Sequence, residues 1–119
     1  MRTLFIDGHT LRLDDLAAFL AGQVHVVPTA AALERVLRCA DFCARVAQGD
    51  EPHYGINTGF GKFARVRVRA EDGVELQHNL LRSHATASGP PLDRDIVRLM
   101  MVLRANSLLA GYSGASVEL

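Results

Sequence analysis

The chain has 119 residues, 49% hydrophobic and 22% charged, which is enough for one small domain with a modest core. Thirteen basic and thirteen acidic residues cancel, so charge gives no ground for a nucleic-acid or anionic-membrane partner. No apolar run is long enough to span a bilayer, and "MRTLFIDGHTLRL" lacks the apolar stretch of a secretory signal.

In chain order, residues 3–6, "TLFI", predict a short strand that ends at the turn "DGHT". Leu13, Leu16, Ala17 and Leu20 recur at helical spacing, with Asp14 as the expected cap and Gly22 as the stop. "VHVV" (24–27) reads as a second short strand closed by Pro28. A longer helix follows, capped by Thr29 and ended by Gly49. Its expected apolar face is Leu33, Val36, Leu37, Ala40, Cys43, Ala44 and Ala47. Cys39 and Cys43 stand four apart on it and read as two buried reduced thiols, which fits a cytoplasmic chain.

"PHYGINTGFGKFARVRV" (52–68) follows. Glycine at this density suits a loop that turns through positive φ or approaches something closely. "ARVRVRA" then alternates with period two, as a half-exposed extended segment does. Its basic residues, with Lys62, read as a solvated edge, a phosphate or carboxylate contact being the lesser alternative. Asp72 with Glu75 resembles a capping box and opens a helix carrying Leu76, Leu80, Leu81, His84 and Ala85. Gly89-Pro90-Pro91 breaks it. Asp93 starts another helix, with Ile96, Leu99, Met100, Leu103 and Ala110 expected inward. The closing "ASVEL" begins a new apolar pattern and stops, so the chain reads as one shortened domain. The fold class is mainly α with a few short β-strands.

Common catalytic patterns fail. Gly59, Gly61 and Ala64 match a dinucleotide fingerprint, but an alternating charged segment stands where a helix is needed. Gly61-Lys62 suggests a P-loop, yet Phe63 replaces its Ser/Thr. The five histidines form no metal set. Tyr54, read from the residues alone, is a turn anchor through its hydroxyl.

"YGINTGFGKFARVRV" resembles the Tyr-loop signature of the aromatic amino-acid ammonia-lyases, and of their histidine ammonia-lyase branch in particular. "LQHNLLRSHATASGPPLDRDIVRLMMVLRANSLLAGYSG" is similar to the segment that follows in those enzymes. The resemblance covers the whole chain, with residues 54–114 carrying it most strongly. It implies the N-terminal domain of the lyase fold, with the helices from about 93 onward leading into a central helical bundle.

The resemblance implies Tyr54 as the catalytic base that removes the weakly acidic β-proton of an α-amino acid. A phenol with a reference pKa of ~10 needs its site to lower that value for this task. Ser83 and His84 match a pair that chooses the substrate side chain, and Ser-His resembles the histidine enzymes, where tyrosine lyases tend to carry His-Leu. A satisfied structural histidine is the alternative reading of His84. Asn57, Thr58, Gly59 and Gly61 are expected to line the substrate site. The implied substrate is L-histidine and the products are urocanate and ammonia. The family's electrophile, 4-methylidene-imidazol-5-one (MIO), forms from a downstream Ala-Ser-Gly. Ala87-Ser88-Gly89 precedes Pro90-Pro91 and reads as a helix-ending turn instead. The implied assembly is a homotetramer, without metal, nucleic acid or membrane, and the chain alone is expected to be inactive. Two other readings stand beside this one. The first is a tyrosine or phenylalanine ammonia-lyase or aminomutase. The second is a non-enzymatic remnant that binds a partner.

Overall fold

The computed structural model describes residues 1–119. The chain divides into two compact units, residues 1–41 with 91–119 and residues 42–90.

In the first unit, β1 (Arg2–Ile6) and β2 (Val24–Pro28) pair in parallel, from Arg2 opposite Val24 to Ile6 opposite Pro28. Parallel strands need a crossover, and α1 (Leu13–Leu20) lies within it. Period-two alternation buries Leu4 and Ile6 and leaves Phe5 exposed. The cap of α1 is Arg12, not Asp14: the helix begins at Leu13, and the Arg12 N–H donates to the Asp15 carboxylate at 3.2 Å. Asp14 falls in the first turn, where its charge favours the positive end of the helix.

Thr29 caps α2 (Ala30–Gln48) as expected, its hydroxyl accepting from the Ala32 N–H at 3.2 Å. The buried residues of α2 are Ala32 and Val36, while Leu37 and Ala44 of the expected face are exposed. The rest of the expected face holds: Val36 is in the core and Leu33, Ala40, Cys43 and Ala47 are half-buried. Cys39 and Cys43 are thiols and half-buried, and the Gly114 N–H donates to the Cys39 sulfur at 3.2 Å.

Asp93 precedes α4 (Arg94–Leu109). Here the expected inward face holds only in part: Leu99 and Ala110 are half-buried, but Val102 and Leu109 are the buried residues and Ile96, Met100 and Leu103 are each about half exposed. This helix carries two apolar stripes, and periodicity cannot say which one meets a core. The core itself gathers Leu4, Ile6, Val24, Ala32, Val36 and Leu109. Polar ties fasten its rim. Arg35 donates to the carbonyls of Asp7 at 2.6 Å and Leu109 at 3.4 Å, and the Gly8 N–H donates to Asn106 Oδ1 at 3.0 Å. The Arg98 guanidinium lies 4.5 Å over the Phe19 ring.

The second unit contains α3 (Gly73–His84), preceded by 3₁₀ turns at Gly61–Phe63 and Ala70–Asp72. The capping box at Asp72 is not made. Asp72 is already helical at φ −90°, ψ −6°, and its carboxylate accepts from Arg69 Nε at 2.8 Å. "ARVRVRA" forms no strand either: one antiparallel bridge, Thr58 to Arg67, is all the pairing it makes. Two of its three arginines are paired. Arg67 pairs with Asp50 at 3.1 Å and also donates to the Gly49 carbonyl. Arg69 pairs with Glu71 at 2.7 Å and with Asp72. The helix α3 stops at His84, well before the Gly-Pro-Pro sequence expected to end it. No helix of the chain is long and apolar enough to cross a membrane.

Candidate functional site

The most buried residues of the second unit are polar, and they hold the glycine loop. Asn57 is 3% exposed and Thr58 fully buried. The Asn57 amide oxygen accepts from the His53 N–H at 2.7 Å. Its NH₂ donates to the Glu51 carbonyl at 2.9 Å, with the Val46 and Gly49 carbonyls at 3.3 and 3.4 Å. The Asn57 main chain adds a bond from its N–H to the His53 carbonyl and another to its own carbonyl from Val68 N–H. Thr58 Oγ1 accepts from the Gly55 N–H at 3.2 Å and donates to the Gly59 carbonyl at 3.0 Å. Each polar atom of these two side chains is engaged with backbone. Their place is that of braces beneath the loop, and the expected substrate contacts have no unengaged polar atom on either side chain.

Gly59 is held by a bond from its N–H to the Val66 carbonyl at 3.0 Å. A Cβ there would stand 2.6 Å from Phe63 Cβ, so only glycine lets the loop pack on its own 3₁₀ turn. Gly61 opens that turn at φ +56°, with open space around it. The positive φ suits glycine at a position where the chain turns. Tyr54 is 64% exposed. Its ring meets Phe60 edge-on, centroids 5.9 Å apart at 77°, an arrangement the aromatic quadrupoles favour. Buried braces below and an exposed phenol above suit a tip that can move over a fixed base.

A groove of about 550 Å³ runs between two walls of this unit. Gly59, Phe60, Phe63, Val66 and Val68 form the loop wall, and Leu76, Asn79, Leu80, Ser83 and His84 form the helix wall. The walls are largely apolar, with Asn79, Ser83 and His84 as the polar side chains. The groove size and this composition suit a small ligand with one ring and few polar atoms. Of the residues named from the sequence, Gly59, Ser83 and His84 line this groove, whereas Tyr54, Asn57, Thr58 and Gly61 do not; Phe60, Phe63 and Asn79 line it without having been named. The signal for the helix wall was available: 76, 80, 83 and 84 stand at i, i+4, i+7 and i+8 on one face of α3.

Ser83 and His84 are joined. The Ser83 hydroxyl lies 2.9 Å from His84 Nδ1, and both lie 2.9 Å from the Leu80 carbonyl oxygen. Residues three and four positions after Leu80 reach back along the helix to its carbonyl, and α3 ends there. Ala87-Ser88-Gly89 is an exposed turn, with Gly89 at φ +104°. A solvent-facing stretch of this kind does not fit a reactive ring that must be held and dried, so no chemical step is drawn through it. The first unit has a separate cavity of about 260 Å³ lined chiefly by Ile6, Val26, Leu33, Leu108, Leu109 and Val117. It contains no titratable side chain.

The chain and its fold were compared with known proteins. The chain is 44% identical over 117 residues to a histidine ammonia-lyase of Staphylococcus aureus, covering 98% of this chain and 23% of that one. It therefore spans less than a quarter of the length of the curated relatives it matches. Among solved structures it superposes on the ergothionase of Treponema denticola, an ergothioneine-degrading enzyme, with TM-score 0.89 and 28% identity. That match covers 98% of this chain and 23% of that one. It also superposes on the histidine ammonia-lyase of Trypanosoma cruzi, with TM-score 0.83 and 32% identity, covering 99% of this chain and 22% of that one. The family model for aromatic amino acid lyases matches residues 11–119, and with the fold in agreement the chain belongs to the aromatic amino acid lyase family.

Proposed function

We propose that this chain contributes one part of the active site of an ammonia-lyase that converts L-histidine to urocanate and ammonia. The groove carries this reading, because it joins the glycine loop to Ser83-His84 within one small, largely apolar cleft. Tyr54 is the base that takes the β-proton, delivered by the loop tip as it closes and excludes water. His84, backed by Ser83, contacts the imidazole ring, while Phe60, Phe63 and Leu80 surround its apolar edges. Asn57 and Thr58 act indirectly, by holding the loop from which Tyr54 projects.

In this family the electrophile is MIO, formed from an Ala-Ser-Gly other than Ala87-Ser88-Gly89. The 119-residue chain is accordingly inactive by itself. Exposed apolar residues of α4, among them Met100 and Met101, agree with burial in a larger helical assembly, read here as a homotetramer. Two thiol cysteines agree with a cytoplasmic setting. The histidine reading is favoured over tyrosine or phenylalanine by the Ser83-His84 pair on the groove wall.

The test is made in a complete lyase bearing these residues. Tyr54→Phe is expected to lower kcat ~10²–10⁴-fold, the usual contribution of a general base, with KM for L-histidine changed only a few-fold. Unchanged kcat would remove Tyr54 from the chemistry. In parallel, the 119-residue chain incubated with L-histidine is expected to yield no urocanate absorbance.

A further inference from the structure

We propose that Ser83 and the Leu80 carbonyl hold His84 as its Nδ1–H tautomer, so that Nε2 offers a lone pair and reads a hydrogen-bond donor on the substrate ring. The tautomer follows from a triangle. Ser83 Oγ, His84 Nδ1 and Leu80 O are mutually 2.9 Å apart. Three such edges without repulsion between lone pairs need at least two hydrogens. The carbonyl brings none and the hydroxyl brings one, so the second sits on Nδ1. The Nδ1–H then donates toward Ser83 Oγ, and the Ser83 O–H donates to the Leu80 carbonyl. If Nδ1 were bare, its lone pair would face the carbonyl oxygen at 2.9 Å. A histidine ring nitrogen is set by the bond its other nitrogen makes, and here the helix end makes that bond.

The consequence is a rule of recognition, and it rests on the reading that His84 meets the substrate ring. A neutral acceptor at Nε2 accepts an imidazole N–H. It rejects a ring whose facing nitrogen is methylated, and it gains nothing from a phenyl ring. Ser83 is in this scheme a positioning residue, acting through His84.

The tautomer is tested on the 119-residue chain labelled with ¹⁵N-histidine, by long-range ¹H–¹⁵N correlation at pH above ~8, where an ordinary imidazole is neutral. His84→Gln identifies the resonances. A protonated Nδ1 with a bare Nε2 is expected, and a protonated Nε2 overturns the proposal. Ser83→Ala is expected to reduce the Nδ1–H share, and Ser83→Thr to keep it. If Ser83→Ala leaves the share unchanged, the role of Ser83 is overturned. The recognition rule is tested in a complete lyase, with the two ring-N-methyl isomers of L-histidine as competitors. One isomer is expected to bind at least ~10-fold more weakly than the other, the scale of one unmet buried bond, and His84→Gln is expected to abolish the difference. An Nδ1–H ring combined with equal binding of both isomers overturns the substrate contact and leaves the tautomer standing. An Nε2–H ring overturns the tautomer whatever the isomers do.

Discussion

The two units of the chain are held by different forces. In the first, every residue in the buried class is a hydrocarbon side chain: Leu4, Ile6, Val24, Ala32, Val36, Val102 and Leu109. In the second, the buried side chains are those of Asn57 and Thr58. Hydrophobic burial is non-directional and roughly proportional to area, so the first unit tolerates small shifts of its strands and helices. Hydrogen bonds are directional and costly to leave unmade, so the second unit fixes a loop in one shape while burying little. The difference suits the division of labour. In the role proposed for Tyr54, a loop that presents a side chain and still moves needs a defined base without the rigidity of a deep core.

That comparison ranks substitutions. The largest effect is expected at Ile6, which is 2% exposed: Ile6→Ala should cost about 3–4 kcal/mol, within the range for large-to-small core changes. It is read by denaturant unfolding together with hydrogen exchange at the β1 and β2 amides. Asn57→Ala should cost about 2–3 kcal/mol, because the His53 N–H and the carbonyls it serves lose their partner. Here the added exchange should concentrate in residues 52–68. If Asn57→Ala proved costlier than Ile6→Ala, the contrast between a core-held and a bond-held unit would be reversed. If it left exchange in the loop unchanged, the brace would be refuted.

How much of this was legible beforehand varies with the kind of force. The two strands, the Thr29 cap and the existence of each long helix follow from local periodicity and punctuation, and they appear where expected. The inward face of α4 did so only in part, because Ile96/Met100/Leu103 and Val102/Leu109 are equally regular and only the tertiary partner chooses between them. The cap of α3 failed for a similar reason: Arg69 offered Asp72 a charged partner that a capping pattern cannot foresee. "ARVRVRA" has the alternation of a strand, but it pairs at one bridge only, so the pattern lacked an edge to add to. Tyr54, Ser83 and His84 were named through resemblance, and the last two line the groove. Asn57 and Thr58 were visible as loop residues, but their bracing role was not, since no local rule says which distant carbonyls an amide will meet.

The smallest effect concerns charge at the rim of the first unit and sharpens the contrast from the other side. Asp7 Oδ1 accepts from the His9 N–H, the Thr10 N–H and the Thr10 hydroxyl, each at 2.9 Å. The backbone bond from His9 and then those from Thr10 lower its pKa from 3.8 to about 2. Because the folded value lies below the unfolded one, this carboxylate stabilises the fold fully above the unfolded pKa and loses that contribution as pH falls toward the folded one. The window is therefore pH 3.8 to about 2. Asp7→Asn keeps an acceptor oxygen for the turn but removes the charge. The denaturation midpoint of the variant should thus fall less steeply than that of the parent chain across this window, and the two should differ most above it. The group is exposed, so added salt should narrow the gap. An identical pH profile in the variant would mean that the turn is held by geometry alone. Direction-dependent bonding would then shape the rim of the hydrocarbon unit just as it shapes the loop, with charge adding nothing in either.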